Sequence, residues 1–184
     1  MLQCAIGTLY LQDKEMKKVK QLLEECKESL DSLTGVEAVV NSSFYILSAT
    51  YHKVNENAEA YYNDMLLYLS HIKPESLSQE EQASIAYDLG IAALVGESVY
   101  NFTELLSHPV FVSMEKTQNA WLVSMVRCFN VGDIDGYKKL LSENQAAFNN
   151  LVSILNNTFG EDYHIYFLLF FVKKRIFLLE NNNF

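Results

Sequence analysis

The chain has 184 residues, of which 49% are hydrophobic and 20% are charged, so it is large enough to bury a core and too apolar to be disordered. Only two prolines and seven glycines occur, which argues against a loop-rich all-β fold. The formal net charge of −9 disfavours nucleic acid and anionic membrane surfaces as partners.

Apolar residues recur with a helical period along almost the whole chain, and no stretch shows the strict alternation of a half-buried strand. In chain order the pattern predicts helices over residues 2–10, 14–31, 37–54, 58–72, 79–95, 102–107, 117–130, 134–144, 146–158 and 161–180. Short turns would join them into antiparallel pairs that recur every ~35 to 40 residues, the spacing of a helical solenoid. We therefore expect one all-α domain over 1–184, a right-handed helical-repeat solenoid, although the tetratricopeptide consensus itself is absent.

Glycines mark several of the predicted helix ends. Gly35, Gly96, Gly132 and Gly160 stand where helices should stop, and glycine adopts the left-handed cap conformation without a steric penalty. Asp133 directly follows one of them and is a good N-cap for the next helix. These residues therefore predict short connections between the helices.

The stretch GESVYNFTELLSHP, from Gly96 to Pro109, interrupts the pattern. Glu104 and His108 are four residues apart and would share one helix face, as an acid/base couple or half of a metal site would. A structural interpretation is stronger: Asn101 caps a short helix with Glu104 in an Asn-x-x-Glu box, and Pro109 ends it. His108 would then meet free carbonyls in the last turn.

Cys128 and Trp121 belong to one predicted helix. Cys128 follows Arg127 and is a candidate activated thiol, although a buried, inert cysteine is the commoner case. Trp121 shares an apolar stripe with Leu122 and Phe129, so we expect it to be a core residue between helix layers. Neither a nucleophile elbow nor a glycine-rich phosphate loop occurs, and the residues indicate no catalytic, cofactor-binding or metal-binding site.

Cysteine usage and apolar run length bear on the compartment. The three cysteines are scattered and no secretory signal precedes them, which favours a reducing environment. The longest apolar run, Ile165 to Val172, has eight residues, whereas about 20 are needed to span a bilayer. We expect a soluble, intracellular protein.

Three segments carry a family resemblance: AYYNDMLLYL at 60–69, AYDLGIAALVGESVYNFTELLSHPV at 86–110 and AWLVSMVRCFNVGD at 120–133. In this order and spacing they resemble the PCI-domain subunits of the 26S proteasome lid known as non-ATPase regulatory subunit thirteen. The family's corner, Tyr/Phe-Asn-Phe-Gly-Glu-Leu-Leu-x-His-Pro, matches here at Tyr100, Asn101, Phe102, Glu104, Leu105, His108 and Pro109, following the helix that ends at Gly96. Thr103 stands where the family usually has glycine.

The resemblance implies a structural role: a PCI-type scaffold in the proteasome lid, without catalytic residues, cofactor or metal. It implies other PCI-domain lid subunits as partners and a location in cytoplasm and nucleus. The family continues into a winged-helix module that this sequence lacks, so we expect a fragment or a shortened relative. The aromatic last helix, with Phe167, Phe170 and Phe171, would then stay partly uncovered and form a partner surface or drive self-association.

Three alternatives stay open at the level of sequence. One is a helical-repeat subunit of another complex, such as the signalosome or a translation-initiation factor. Another is an enzyme that uses Glu104, His108 or Cys128. The third is a membrane-associated adaptor that uses the last aromatic helix.

Overall fold

The computed structural model describes residues 2–96 and 99–151. Within these ranges the protein is all-α and contains no strand, which confirms the predicted all-α, helical-repeat class. The helices are α1 (Leu2–Gln12), α2 (Met16–Ser32), α3 (Ala38–Val54), α4 (Ala58–Ser70), α5 (Gln79–Val95), α6 (Thr103–Ser107), α7 (Pro109–Ser113), α8 (Ala120–Val131) and α9 (Ile134–Glu143). Short 3₁₀ helices cover Pro74–Ser76 and Met114–Lys116, and residues 145–151 are again helical.

The helices form two compact units, the first within Met1–Gln79 and the second beginning at Glu80. In the first unit α1 packs on α2 and α3 packs along α4, consecutive helices joined by short turns as in helical hairpins. Gly7 lets α1 approach α3 closely, since a Cβ there would lie 2.6 Å from Leu47 Cδ2. That one domain spans 1–184 stays a prediction.

Two of the turns in the first unit use a non-glycine residue in the left-handed region. Lys14 has φ of 59° between α1 and α2, and Glu56 has φ of 57° between α3 and α4. At the second turn the N–H of Asn57 donates to the carbonyl of His52 at 2.9 Å and closes the helix end. Glycine is the usual residue in this conformation, and neither turn carries one.

The second unit is built around α5 and α8. Most residues of α5 from Ala86 onward are buried, and Gly90 meets α8 there, because a Cβ at Gly90 would lie 2.7 Å from Leu122 Cδ2. Trp121 lies at the start of α8 and is 8% exposed. The α8–α9 turn follows the prediction: Gly132 is a left-handed C-cap with φ of 72°, and Asp133 accepts a hydrogen bond from Gly136 N at 2.9 Å.

Two predicted glycine caps were wrong. Helix α2 ends at Ser32 with Leu33 in extended conformation as its cap, and Gly35 (φ 75°) lies beyond it in the connection to α3. Gly96 follows α5 without adopting a positive φ. Close packing favours glycine there instead, since a Cβ would lie 2.7 Å from Val99 Cγ2 and 3.1 Å from the Ala92 carbonyl oxygen. Gly160 lies outside the described residues.

Candidate functional site

The segment that the sequence singles out is a compact corner, residues 99–116, that connects α5 to α8 within the second unit. It consists of two five-residue helices, α6 and α7, followed by the 3₁₀ turn at Met114–Lys116. The predicted helix over 102–107 is therefore α6, and α7 was missed. The predicted helix over 117–130 begins later than expected, at Ala120. We refer to residues 99–116 as the corner.

Fully buried side chains fill the inside of the corner. Phe102 and Leu105 are 0% exposed, and Val110 and Phe111 of α7 are 1% exposed. A Cβ at Gly90 of α5 would come within 3.1 Å of Phe111 Cε2, so α7 packs against the same stretch of α5 that meets α8. The corner is therefore part of the core of the second unit and not a surface loop.

Asn101 does not cap α6 in the way predicted. The N-cap residue of α6 is Phe102, whose own side chain makes no capping hydrogen bond. Asn101 lies one residue earlier, where its Oδ1 accepts a hydrogen bond from the Thr103 N–H at 2.9 Å, an Asx turn that leads into the helix. Glu104 is then the second residue of the helix and is exposed, so the Asn-x-x-Glu box does not form.

Asn130 of α8 contacts the corner, and sequence reasoning missed this role. It lies near the end of α8, 28 positions from Phe102, and its Oδ1 accepts a hydrogen bond from the Phe102 N–H at 3.3 Å. This bond ties the start of α6 to α8. The only signal in the sequence is a polar residue directly after the buried Phe129, which by itself indicates nothing about its partner.

His108 joins the two short helices. It follows the last residue of α6, and as N-cap of α7 its Nδ1 accepts a hydrogen bond from the Val110 N–H at 3.3 Å. The prediction that it meets free carbonyls of the preceding helix was wrong. Pro109 ends α6 as predicted but also starts α7, because a proline at the first helical position gives up no hydrogen bond.

The state of His108 agrees with a capping role. Burial lowers the pKa of its imidazole below the usual 6.5, with the Glu104 carboxylate acting in the opposite direction. A neutral ring with Nδ1 as acceptor is the form that the capping hydrogen bond requires. No hydrogen bond or ion pair joins Glu104 to His108, and the two side chains form no acid/base couple.

Cys128 lies half-buried on α8. Burial raises the pKa of its thiol, and the nearby Asp133 carboxylate raises it further. Arg127, its neighbour in sequence, pairs with Glu115 and not with the thiol. An activated thiolate requires the opposite environment, electropositive and partly exposed.

The described residues offer neither a metal cluster nor a membrane-spanning helix. Across 2–96 and 99–151, no three His, Cys, Asp or Glu side chains are grouped closely enough to hold a metal ion. None of the helices in these ranges is both long and apolar enough to cross a membrane. The predicted partner surface at Phe167, Phe170 and Phe171 lies outside the described residues and stays a prediction.

Comparison with known proteins identifies the family. Residues 1–126 match the family model described as PSD13 N-terminal repeats. The chain is 42% identical over 143 residues to the 26S proteasome non-ATPase regulatory subunit 13 of Dictyostelium discoideum, covering 78% of this chain and 37% of that protein. It is 33% identical over 156 residues to homolog B of that subunit in Arabidopsis thaliana, covering 85% and 40%.

A fungal relative gives the same result. The 26S proteasome regulatory subunit RPN9 of Saccharomyces cerevisiae is 32% identical over 143 residues, covering 77% of this chain and 36% of that protein. The chain thus spans about two fifths of the length of the curated relatives it matches. With the family model covering most of its sequence, the chain belongs to the family of 26S proteasome non-ATPase regulatory subunit 13, within that family's N-terminal repeats.

Proposed function

We propose that this chain is a non-catalytic scaffold of the proteasome regulatory particle lid, acting in ubiquitin-dependent protein degradation through contacts with neighbouring PCI-domain subunits. The observation that carries the proposal is the match of residues 1–126 to the N-terminal repeats of a family whose members are named as proteasome regulatory subunits. Those names also favour the proteasome over the signalosome or a translation-initiation factor. Cytoplasm and nucleus are the proposed location.

The corner supports a structural role in three ways. Its apolar residues are buried, as Phe102 and Leu105 are, and they contribute to the stability of the second unit. Its polar residues Asn101 and His108 accept backbone N–H groups and so hold the helix ends in place. Of the residues that an enzyme would use, His108 caps α7, Glu104 is exposed on α6 and apart from His108, and burial opposes the reactive form of Cys128. We propose that the corner fixes the geometry of the repeat.

Affinity purification followed by quantitative mass spectrometry tests the assignment. The full chain, carrying an epitope tag, is expressed in cells and recovered under native conditions. We expect regulatory-particle subunits to be enriched far above those of the signalosome or of initiation factors. Gly90→Val is the matched control, because its side chain would collide with Leu122 and disrupt the second unit. Enrichment of signalosome or initiation-factor subunits in place of the proteasome would overturn the proposal.

A further inference from the structure

A concave surface lies in the first unit, along α3 between α2 and α4. It encloses about 580 Å³, within the range of ~300–1,000 Å³ that binding pockets usually have. Apolar side chains from all three helices line it, among them Leu23 and Leu30 of α2, Phe44 and Tyr45 of α3, and Leu67 of α4. We call this surface the α3 groove; it is separate from the corner.

A carboxylate is the polar centre of the α3 groove. The Asp64 side chain is 20% exposed, and the Ser48 hydroxyl donates a hydrogen bond to its Oδ2 at 2.5 Å. His52 Nε2 lies 3.7 Å from the same oxygen. Burial lowers the pKa of His52, against the opposing effect of Asp64, and this disfavours a protonated imidazole as the partner of the carboxylate.

The order of contacts excludes a catalytic triad. In such a triad the histidine accepts the proton of the serine hydroxyl, and the carboxylate orients the histidine from its far side. Here Ser48 and His52 both meet Asp64, and they share no hydrogen bond with each other. The cluster therefore holds a carboxylate in place and does not activate a nucleophile.

The Oδ1 atom of Asp64 is able to accept a further hydrogen bond. No described residue donates a hydrogen bond to its Oδ1 or pairs with it as a permanent cation. The Asp64 side chain is still 20% exposed, and removing it fully from water would be costly unless a cation met it. An apolar partner that covered the groove would raise that cost, whereas a partner that brings a cation would offset it.

The charged residues that line the groove also favour a basic partner. Three carboxylates, those of Glu24, Asp31 and Asp64, line it against two ammonium groups, those of Lys20 and Lys27. Lys20 lies 3.9 Å from Glu24 along the exposed face of α2 and so is directed to that residue. The net charge of the whole chain, −9, adds long-range attraction for a basic partner.

We propose that the α3 groove binds a short protein segment that carries one basic side chain between apolar ones, with the basic group on Asp64 and the apolar groups on Tyr45 and Leu67. The segment matches the groove in both respects, apolar walls and an acidic centre. The proposal concerns a surface other than the corner and does not depend on the assignment to the lid.

Selection from a random library of 12-residue peptides tests it, with the purified full chain as bait. The enriched sequences should share an arginine or lysine flanked by apolar residues. A synthetic peptide of the enriched sequence should bind the chain in fluorescence anisotropy, and Asp64→Asn should weaken that binding about tenfold or more, as expected when a partly buried charge pair is lost. Asp135→Asn, an exposed change on α9, is the matched control and should have no effect.

A second variant covers the case in which Asp64→Asn does not fold. Leu67 is 43% exposed, so Leu67→Lys should leave the fold intact while it places an ammonium group in the groove and lowers the affinity for the same peptide. Circular dichroism establishes that each variant is folded. Failure to enrich any peptide, enrichment of peptides without a basic residue, or equal binding by the folded variants and the original chain would overturn the proposal.

Discussion

Phe102 is the residue whose truncation tests the structural account of the corner most sharply. Its side chain is 0% exposed. Complete burial of a phenylalanine removes about 150–250 Å² from water, and at about 25 cal/mol per Å² this contributes about 4–6 kcal/mol. Phe102→Ala keeps only the Cβ atom of the side chain and leaves a cavity, so we expect the free energy of unfolding to fall by about 3–5 kcal/mol. Phe102→Leu, which nearly fills the space, should cost less than about 1.5 kcal/mol.

Urea unfolding followed by two signals is the assay. The only tryptophan, Trp121, lies in the second unit, so its emission reports on the unit that contains Phe102, whereas circular dichroism at 222 nm reports on all helices. Thr103→Ala, an exposed change at the next position, is the control and should stay within about 0.5 kcal/mol. A Phe102→Ala variant as stable as the Thr103→Ala variant would show that the corner is not part of the core.

Three further predictions concern helix ends. His108→Asn should keep the cap of α7 but reduce the loss of stability at low pH. Because the pKa of His108 is lowered in the folded chain, the unfolded chain binds more protons below about pH 6.5, and the free energy of unfolding therefore falls as the pH falls. Parallel curves of stability against pH for the variant and the original chain, from urea melts, would contradict this. Asp133→Ala should cost about 0.5–2 kcal/mol because it removes the acceptor of the Gly136 N–H, and Asp135→Ala, two positions further on, should cost less in the same melts. Glu56→Gly should be neutral or stabilise by up to about 1 kcal/mol, since it relieves a left-handed backbone; a lower thermal midpoint would refute this.

Sequence periodicity predicted most helices because their apolar stripes are long. Helix α5 has both predicted ends, 79 and 95, because its long apolar run stops at Gly96 and is preceded by polar residues. Helix α7 was missed because five residues are too few for a period to show. Pro109 added to the error, since a proline that ends one helix is equally suited to start another.

The contacts that define the two sites were beyond sequence reasoning for a different reason. Asn130 meets Phe102 across 28 positions, and Asp64 meets Ser48 across 16 positions. Such pairs form only when tertiary packing brings two helices together, and neither local propensity nor capping preference depends on them. The sequence could place His108 at a helix end, but the choice between its two neighbouring helices is decided by the direction of its ring in the fold.

The central claim is that this chain acts by assembly through its folded repeats and not by chemistry at the corner. The most direct measurement is the amount of tagged chain that copurifies with proteasome regulatory particles, compared between two variants expressed at equal levels. Glu104→Gln combined with His108→Asn removes the candidate acid/base pair and keeps the cap, whereas Phe102→Ala opens the core. We predict that the double variant assembles like the original chain and still supports ubiquitin-dependent degradation in cells. The Phe102→Ala variant, by contrast, should be lost from the particles. A double variant that assembles normally but abolishes degradation would contradict the account.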